Sequence, residues 1–144
     1  MGPWPVLLVT AAALHAGFQL TVTLLAYPAL VEVAPERFAR AHALHSRRIV
    51  PLVGLVYGFL AVACLGALLT APGSAAVWVA GAASAAAVLV TALRAAPLHG
   101  RLGREGPGPA RLTALVRADR VRTAAALVAL VAAVAHAVVL QVTR

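Results

Sequence analysis

The sequence predicts an all-α membrane protein: one four-helix up-down bundle over residues 1–144, with both termini on the non-cytoplasmic side. Two observations carry the fold. The first is composition: 62% of the 144 residues are hydrophobic, and only 12 basic and 4 acidic residues are present. A soluble domain of this size has too much surface for so few polar groups to cover. The second is the pattern: residues 5–31, 49–71, 74–93 and 123–142 form four apolar stretches. A helix of about 20 such residues crosses a hydrocarbon core of roughly 30 Å, and each stretch is long enough. Four spans leave no room for a separate soluble domain.

Taken in order, the first stretch follows the uncharged Met1, Gly2, Pro3 and Trp4 and runs on to Gln19 and Tyr27. It reads as a retained helix rather than a cleaved signal, ending near Tyr27-Pro28. Pro35-Glu36-Arg37 opens a helix, with proline in the first turn and an acid beside it. That helix is expected to lie near the membrane interface through His45 and to bend at Pro51 into the second span. The lone Cys64 lies inside this span, which excludes a disulfide framework or a zinc knuckle within one chain. Ala71-Pro72-Gly73-Ser74 makes a tight reversal. The third span carries Gly81, Ser84 and Ala85, and the fourth is mostly Ala and Val, small residues that let helices approach closely in lipid. Between them, residues 100–109 hold four Gly and two Pro, which predicts a loop, with helix resuming at Ala110.

All 12 basic residues are arginine, and the formal net charge is +8. Tracing the chain through four spans puts every arginine but Arg144 at one end of the bundle. By the positive-inside rule that end is cytoplasmic. The expected location is a bacterial cytoplasmic membrane, with the arginine-rich loops in the cytoplasm. No nucleic-acid partner is needed to explain the charge, because arginines that flank spans set topology and meet lipid headgroups.

Several polar residues need a role. His15, Gln19, Thr23 and Tyr27 recur every four residues, one stripe along the first helix. Facing lipid would be costly, so the stripe should face the interior, either in helix-to-helix hydrogen bonds or lining a substrate cavity. His15 and His136 lie within about one helical turn of the same depth. Bonding to neighbouring helices is the simpler expectation for both, and axial ligation of a haem the alternative. At the arginine-rich mouth stand His42 and His45, which share one helical face, together with His99 and Asp119. Histidine and carboxylate bind zinc, iron or copper. The alternatives are interfacial histidines and an Asp119 paired with Arg94, Arg120 or Arg122.

Tyr27-Pro28 closing the first helix, Ile49 and Pro51 opening the second, Pro97-Leu98 after the third and Arg122-Thr123 opening the fourth follow one another in a spacing that spans almost the whole chain. In this the chain resembles the anthrone oxygenase-like family of small four-helix membrane proteins. The resemblance implies the fold, and oxidation of a flat lipophilic polyketide at an activated ring carbon to a quinone. The chain departs from the family pattern at three amide positions: His45, His99 and Asp119 each stand where the pattern carries Asn.

The function expected from these features is a membrane-embedded oxygenase or related oxidoreductase of natural-product biosynthesis, acting on a small lipophilic substrate. His45, His99 and Asp119 would bind a divalent transition metal (iron, copper or zinc) and leave positions open for oxygen and substrate. His42 would serve as a fourth ligand or base, and Arg48, Arg94 and Arg122 would hold an anionic or enolate oxygen. In a metal-free variant His45 or His99 takes the substrate proton, and the carbanion reacts with oxygen directly. The alternatives are a non-catalytic subunit that binds a partner or anionic lipid through its arginine-rich face, and a small transporter. The second span offers only Tyr57 and Cys64 well inside, which weighs against a transport path. A homo-oligomer is left open.

Overall fold

The computed structural model describes residues 2–143; Met1 and Arg144, named above at the two ends, lie outside them. Four helices account for nearly all of the described chain: α1 Pro3–Val31, α2 Pro35–Thr70, α3 Ala75–Glu105 and α4 Pro109–Val142. The shortest, α1, has 29 residues and is therefore about 43 Å long, more than a hydrocarbon core requires. The joints at residues 32–34, 71–74 and 106–108 are too short to do anything but reverse the chain. Neighbours in sequence are therefore antiparallel neighbours in space, and α4 closes the ring by packing on α1. Proline begins three of the helices, where its missing N–H costs nothing. Ser74 caps the other, its Oγ accepting from the Val77 N–H at 3.4 Å.

Many large aliphatic side chains point outward, while α3 and α4 bury mostly small ones. Leu24, Leu55, Leu69 and Val131 are among many exposed aliphatic residues. Ala80, Ser84 and Ala87 of α3 and Ala126, Ala129 and Ala133 of α4 are buried. All four helices are long and apolar enough to cross a membrane, and lipid tails would cover this outer belt. Two buried clusters lie inside. Leu8, Ala11, Leu60, Ala63, Ala80 and Ala133 belong to the one far from the arginines. There Trp4 lies over Gly66 so closely that a Cβ at Gly66 would come within 2.0 Å of the indole. The other cluster, at the arginine-rich end, includes Val22, Tyr27, Phe38, Ala95, Leu102 and Leu115.

Three local expectations are corrected. The first helix does not stop at Tyr27-Pro28 but runs on to Val31, with a wider π-helical turn over Val22–Ala26. The chain from Pro35 to Thr70 is one continuous helix with Pro51 inside it, so no break separates the segment before Pro51 from the span after it. Pro51 and Arg47, whose carbonyl loses its partner there, are both exposed. Residues 100–105 are helix rather than loop, and only residues 106–108 break the chain. Leu102 is buried at 1% exposure, and the space beside Gly103 is filled by the His42 ring. Packing there overrides the weak helix propensity of glycine. The break comes at Gly106, whose φ of 75° suits glycine.

Candidate functional site

A proline inside a helix leaves the carbonyl four residues before it without a donor and crowds it. Pro28 does this to Leu24, and Pro97 to Leu93. Both carbonyls fall within the two π-helical turns, Val22–Ala26 in α1 and Thr91–Ala95 in α3. The wider turn absorbs the clash and re-aims the side chains around it. Those side chains are Thr23 and Tyr27 on one helix and Thr91 and His99 on the other, and they meet Asp119, Arg122 and Thr123 from α4.

The result is a connected polar network inside an apolar bundle. Arg122, 4% exposed, donates from Nη2 to Asp119 Oδ1 at 2.5 Å and to the Tyr27 hydroxyl at 3.2 Å, and from Nη1 to Thr91 at 3.3 Å. Its Nε has no partner. Asp119, 1% exposed, also accepts from the Thr23 hydroxyl at 2.6 Å. Thr23 lies 2.6 Å from the Thr123 hydroxyl, and Tyr57 bonds Thr91 at 2.8 Å. A buried Arg–Asp pair is tolerated only when the surplus donors and lone pairs are also met, and the threonines and tyrosines supply most of that.

From Tyr27 the network continues through imidazoles. The Tyr27 hydroxyl is 3.0 Å from His99 Nε2, and His99 Nδ1 is 3.1 Å from His42 Nε2. A guanidinium can only donate, so the Tyr27 oxygen accepts from Arg122 and its own proton is available to His99. The tautomer that uses each proton once has His99 bare at Nε2 and protonated at Nδ1, donating on to His42. His45 stacks on His99 with ring centroids 5.8 Å apart, and its buried Nε2 has no partner. Tyr27, His99 and His42 form a line of groups able to pass a proton toward the arginine-rich end, and the Arg122–Asp119 pair, which keeps its protons, anchors the inner end of that line.

This line borders a cavity of about 480 Å3 among α1, α2 and α3, within the range of small-molecule sites. Phe18, Val22, Ile49, Val50 and Val53 form apolar walls, and Tyr27, Thr91, His99 and Arg122 are its main polar lining. Val50 is 65% exposed, so the cavity opens sideways through the outer belt.

The expected site residues divide sharply. Tyr27, His42, His99 and Arg122 come together, with His45 stacked beside them and Thr23 on Asp119. His45, His99 and Asp119 are not gathered as a ligand set: among the described residues no group of three or more His, Cys, Asp or Glu side chains could hold a metal ion. The reason is local, since the Asp119 carboxylate is taken by Arg122 and Thr23, and both nitrogens of His99 are engaged by Tyr27 and His42. Arg48 lies instead on a groove between α1 and α2, which His45 also lines. Arg94 lies on a groove between α3 and α4. His15 and Gln19 are fully buried with no hydrogen-bond partner, His15 standing edge-on to Tyr57 at 5.1 Å between centroids. His136 Nδ1 lies 3.0 Å from the Ser74 hydroxyl at the start of α3. Thr91 and Tyr57 were not among the expected site residues. Their signal was there: a threonine six residues before Pro97 inside an apolar span, and the one tyrosine of the second.

No protein family matches the chain, nor does any curated protein or solved structure.

Proposed function

We propose that the chain is a membrane enzyme that removes a proton from an activated C–H group of a small, flat, lipophilic substrate and lets the carbanion react with oxygen. The observation that carries this is the pairing of an apolar cavity, open to the lipid side, with a buried guanidinium, a tyrosine and a histidine chain on its polar side. A lipophilic molecule enters from the bilayer without crossing water. The positive charge of Arg122 favours negative charge as it develops on the substrate carbonyl oxygen, and low surrounding polarity strengthens that effect.

The proton balance follows the network. The C–H proton passes to the Tyr27 oxygen while the Tyr27 proton moves to His99 Nε2, and His99 hands its Nδ1 proton to His42. The carbanion transfers two electrons to oxygen as a C–O bond forms, and the peroxide takes up the returned proton. Loss of water then turns the original CH2 into a carbonyl, so that one CH2 and one O2 give one C=O and one H2O. Resemblance to the anthrone oxygenase-like family makes an anthrone the first substrate to try, with its quinone as product. Oxygen uptake by the protein in lipid nanodiscs with an anthrone tests the proposal. Uptake above that of empty nanodiscs is expected, with Tyr27→Phe about 100-fold slower or more. Uptake equal to the empty control contradicts it.

The sidedness belongs to the same proposal: the arginine-rich end, with residues 98–117, faces the cytoplasm, and Gly2 the opposite side. The support is the arginine asymmetry. In a Cys64→Ala background, cysteines at Gly2 and Gly103 should label from opposite faces of intact cells, and labelling of both from outside refutes it.

A further inference from the structure

At the arginine-rich end α3 and α4 part to leave a groove of about 710 Å3. It shares no lining residue with the cavity bordered by His99 and Arg122. Along α3, Val90, Arg94, Pro97 and Arg101 are spaced four, three and four apart, so they form one stripe along the helix. α4 supplies Arg117 and Val121, and the small Ala114 and Ala118 keep the floor low.

Arg94, Arg101 and Arg117 are exposed. Among the described residues the ion pairs are Arg111 with Glu105 and Arg122 with Asp119, so these three have no carboxylate partner. Three guanidiniums gathered on one groove without an acceptor repel one another, and a single anion relieves all three. Beside them Leu93 and Val121 are 69% and 51% exposed on the lipid-facing surface. A soluble anion would leave these side chains bare, whereas an anion carrying an alkyl chain covers them.

We propose that this groove binds one anionic phospholipid, its phosphate diester held by Arg94, Arg101 and Arg117 and an acyl chain lying along Val90, Leu93 and Val121. Guanidinium groups match phosphate oxygens two at a time, which favours arginine over lysine here. Basic pockets between spans are a recurrent setting for such headgroups. The site is separate from the proposed enzymatic cavity, and either can fail without the other.

The test is native mass spectrometry of the full chain in detergent at low ionic strength, titrated with phosphatidylglycerol or with phosphatidylcholine of the same acyl chains. One phosphatidylglycerol should be retained with about a 100-fold preference, about fivefold for each arginine. The triple variant Arg94→Gln, Arg101→Gln, Arg117→Gln should lose the preference. A control triple of equal charge change, Arg37→Gln, Arg40→Gln, Arg104→Gln, should keep it. Equal retention of the two lipids, or equal loss in both triples, overturns the site. Displacement of the lipid by millimolar inorganic phosphate overturns the lipid as its occupant.

Discussion

The two ends of the bundle solve the same packing problem in opposite ways. Away from the arginines the helices meet through alanine, glycine and a few leucines, and Trp4 closes over Gly66. At the arginine-rich end both π-helical turns interrupt regular helix, an Arg–Asp pair is buried, and His42 and His45 each stack on His99 with ring centroids within 6 Å. The first arrangement gains from dispersion between close backbones. The second gives up regularity and buries charge, which alone seldom stabilises a fold. A small protein that accepts those costs at one end only has separated scaffold from site, and the prolines at 28 and 97 are where the separation is made.

The largest expected effect tests the buried pair. Asp119→Ala strands the Arg122 guanidinium and should cost about 3–5 kcal/mol of stability, seen as a large fall in melting temperature. Replacing both, Asp119→Leu with Arg122→Met, should recover most of that stability while activity stays absent. If the double variant is no more stable than the single, the pair is a structural element of the bundle and the contrast between the ends is lost.

A smaller effect belongs to the scaffold. Gly66→Ala drives a methyl into the Trp4 ring and should lower stability by about 1–3 kcal/mol without changing the site. Smaller still is Gln19→Leu, between the two ends. Gln19 is buried with neither amide atom partnered, so its removal should leave the melting temperature unchanged or raise it, by about 1 kcal/mol in stability at most. A loss of stability there would mean that Gln19 is bonded after all, and that the polar network extends further into the scaffold.

The four spans were legible because span length and hydrophobicity are local properties, and the tight reversal at residues 71–74 because proline and glycine announce it. What the sequence obscured was tertiary. Pro28 looked like a helix end, because whether a proline terminates a helix or is absorbed in a wide turn depends on neighbouring helices. Residues 100–105 looked like a loop, because glycine beside His42 is a packing solution that composition alone does not show. For the site, the polar character of Tyr27, His42, His99 and Arg122 at one mouth was readable. The partner of Asp119 was less so: Arg122 shares its helical face and Arg120 does not, but Arg94 stayed a candidate until the packing of α3 on α4 was known. The same uncertainty let His45, His99 and Asp119 look like a ligand set. Thr91 was overlooked because one hydroxyl in an apolar span can satisfy itself on its own helix, and it does so as well, donating to Ala87 at 2.9 Å.

The central claim is that the arginine-rich end moves a proton between Tyr27, His99 and a substrate carbon, and this can be measured without oxygen. The wild-type chain in nanodiscs, held under argon in D2O with an anthrone, should exchange the methylene hydrogens for deuterium faster than empty nanodiscs, as read by proton NMR. Tyr27→Phe and His99→Ala should each slow that exchange by about 100-fold or more, while Gly66→Ala should not. Exchange no faster than in empty nanodiscs, or unchanged in Tyr27→Phe, would contradict the claim.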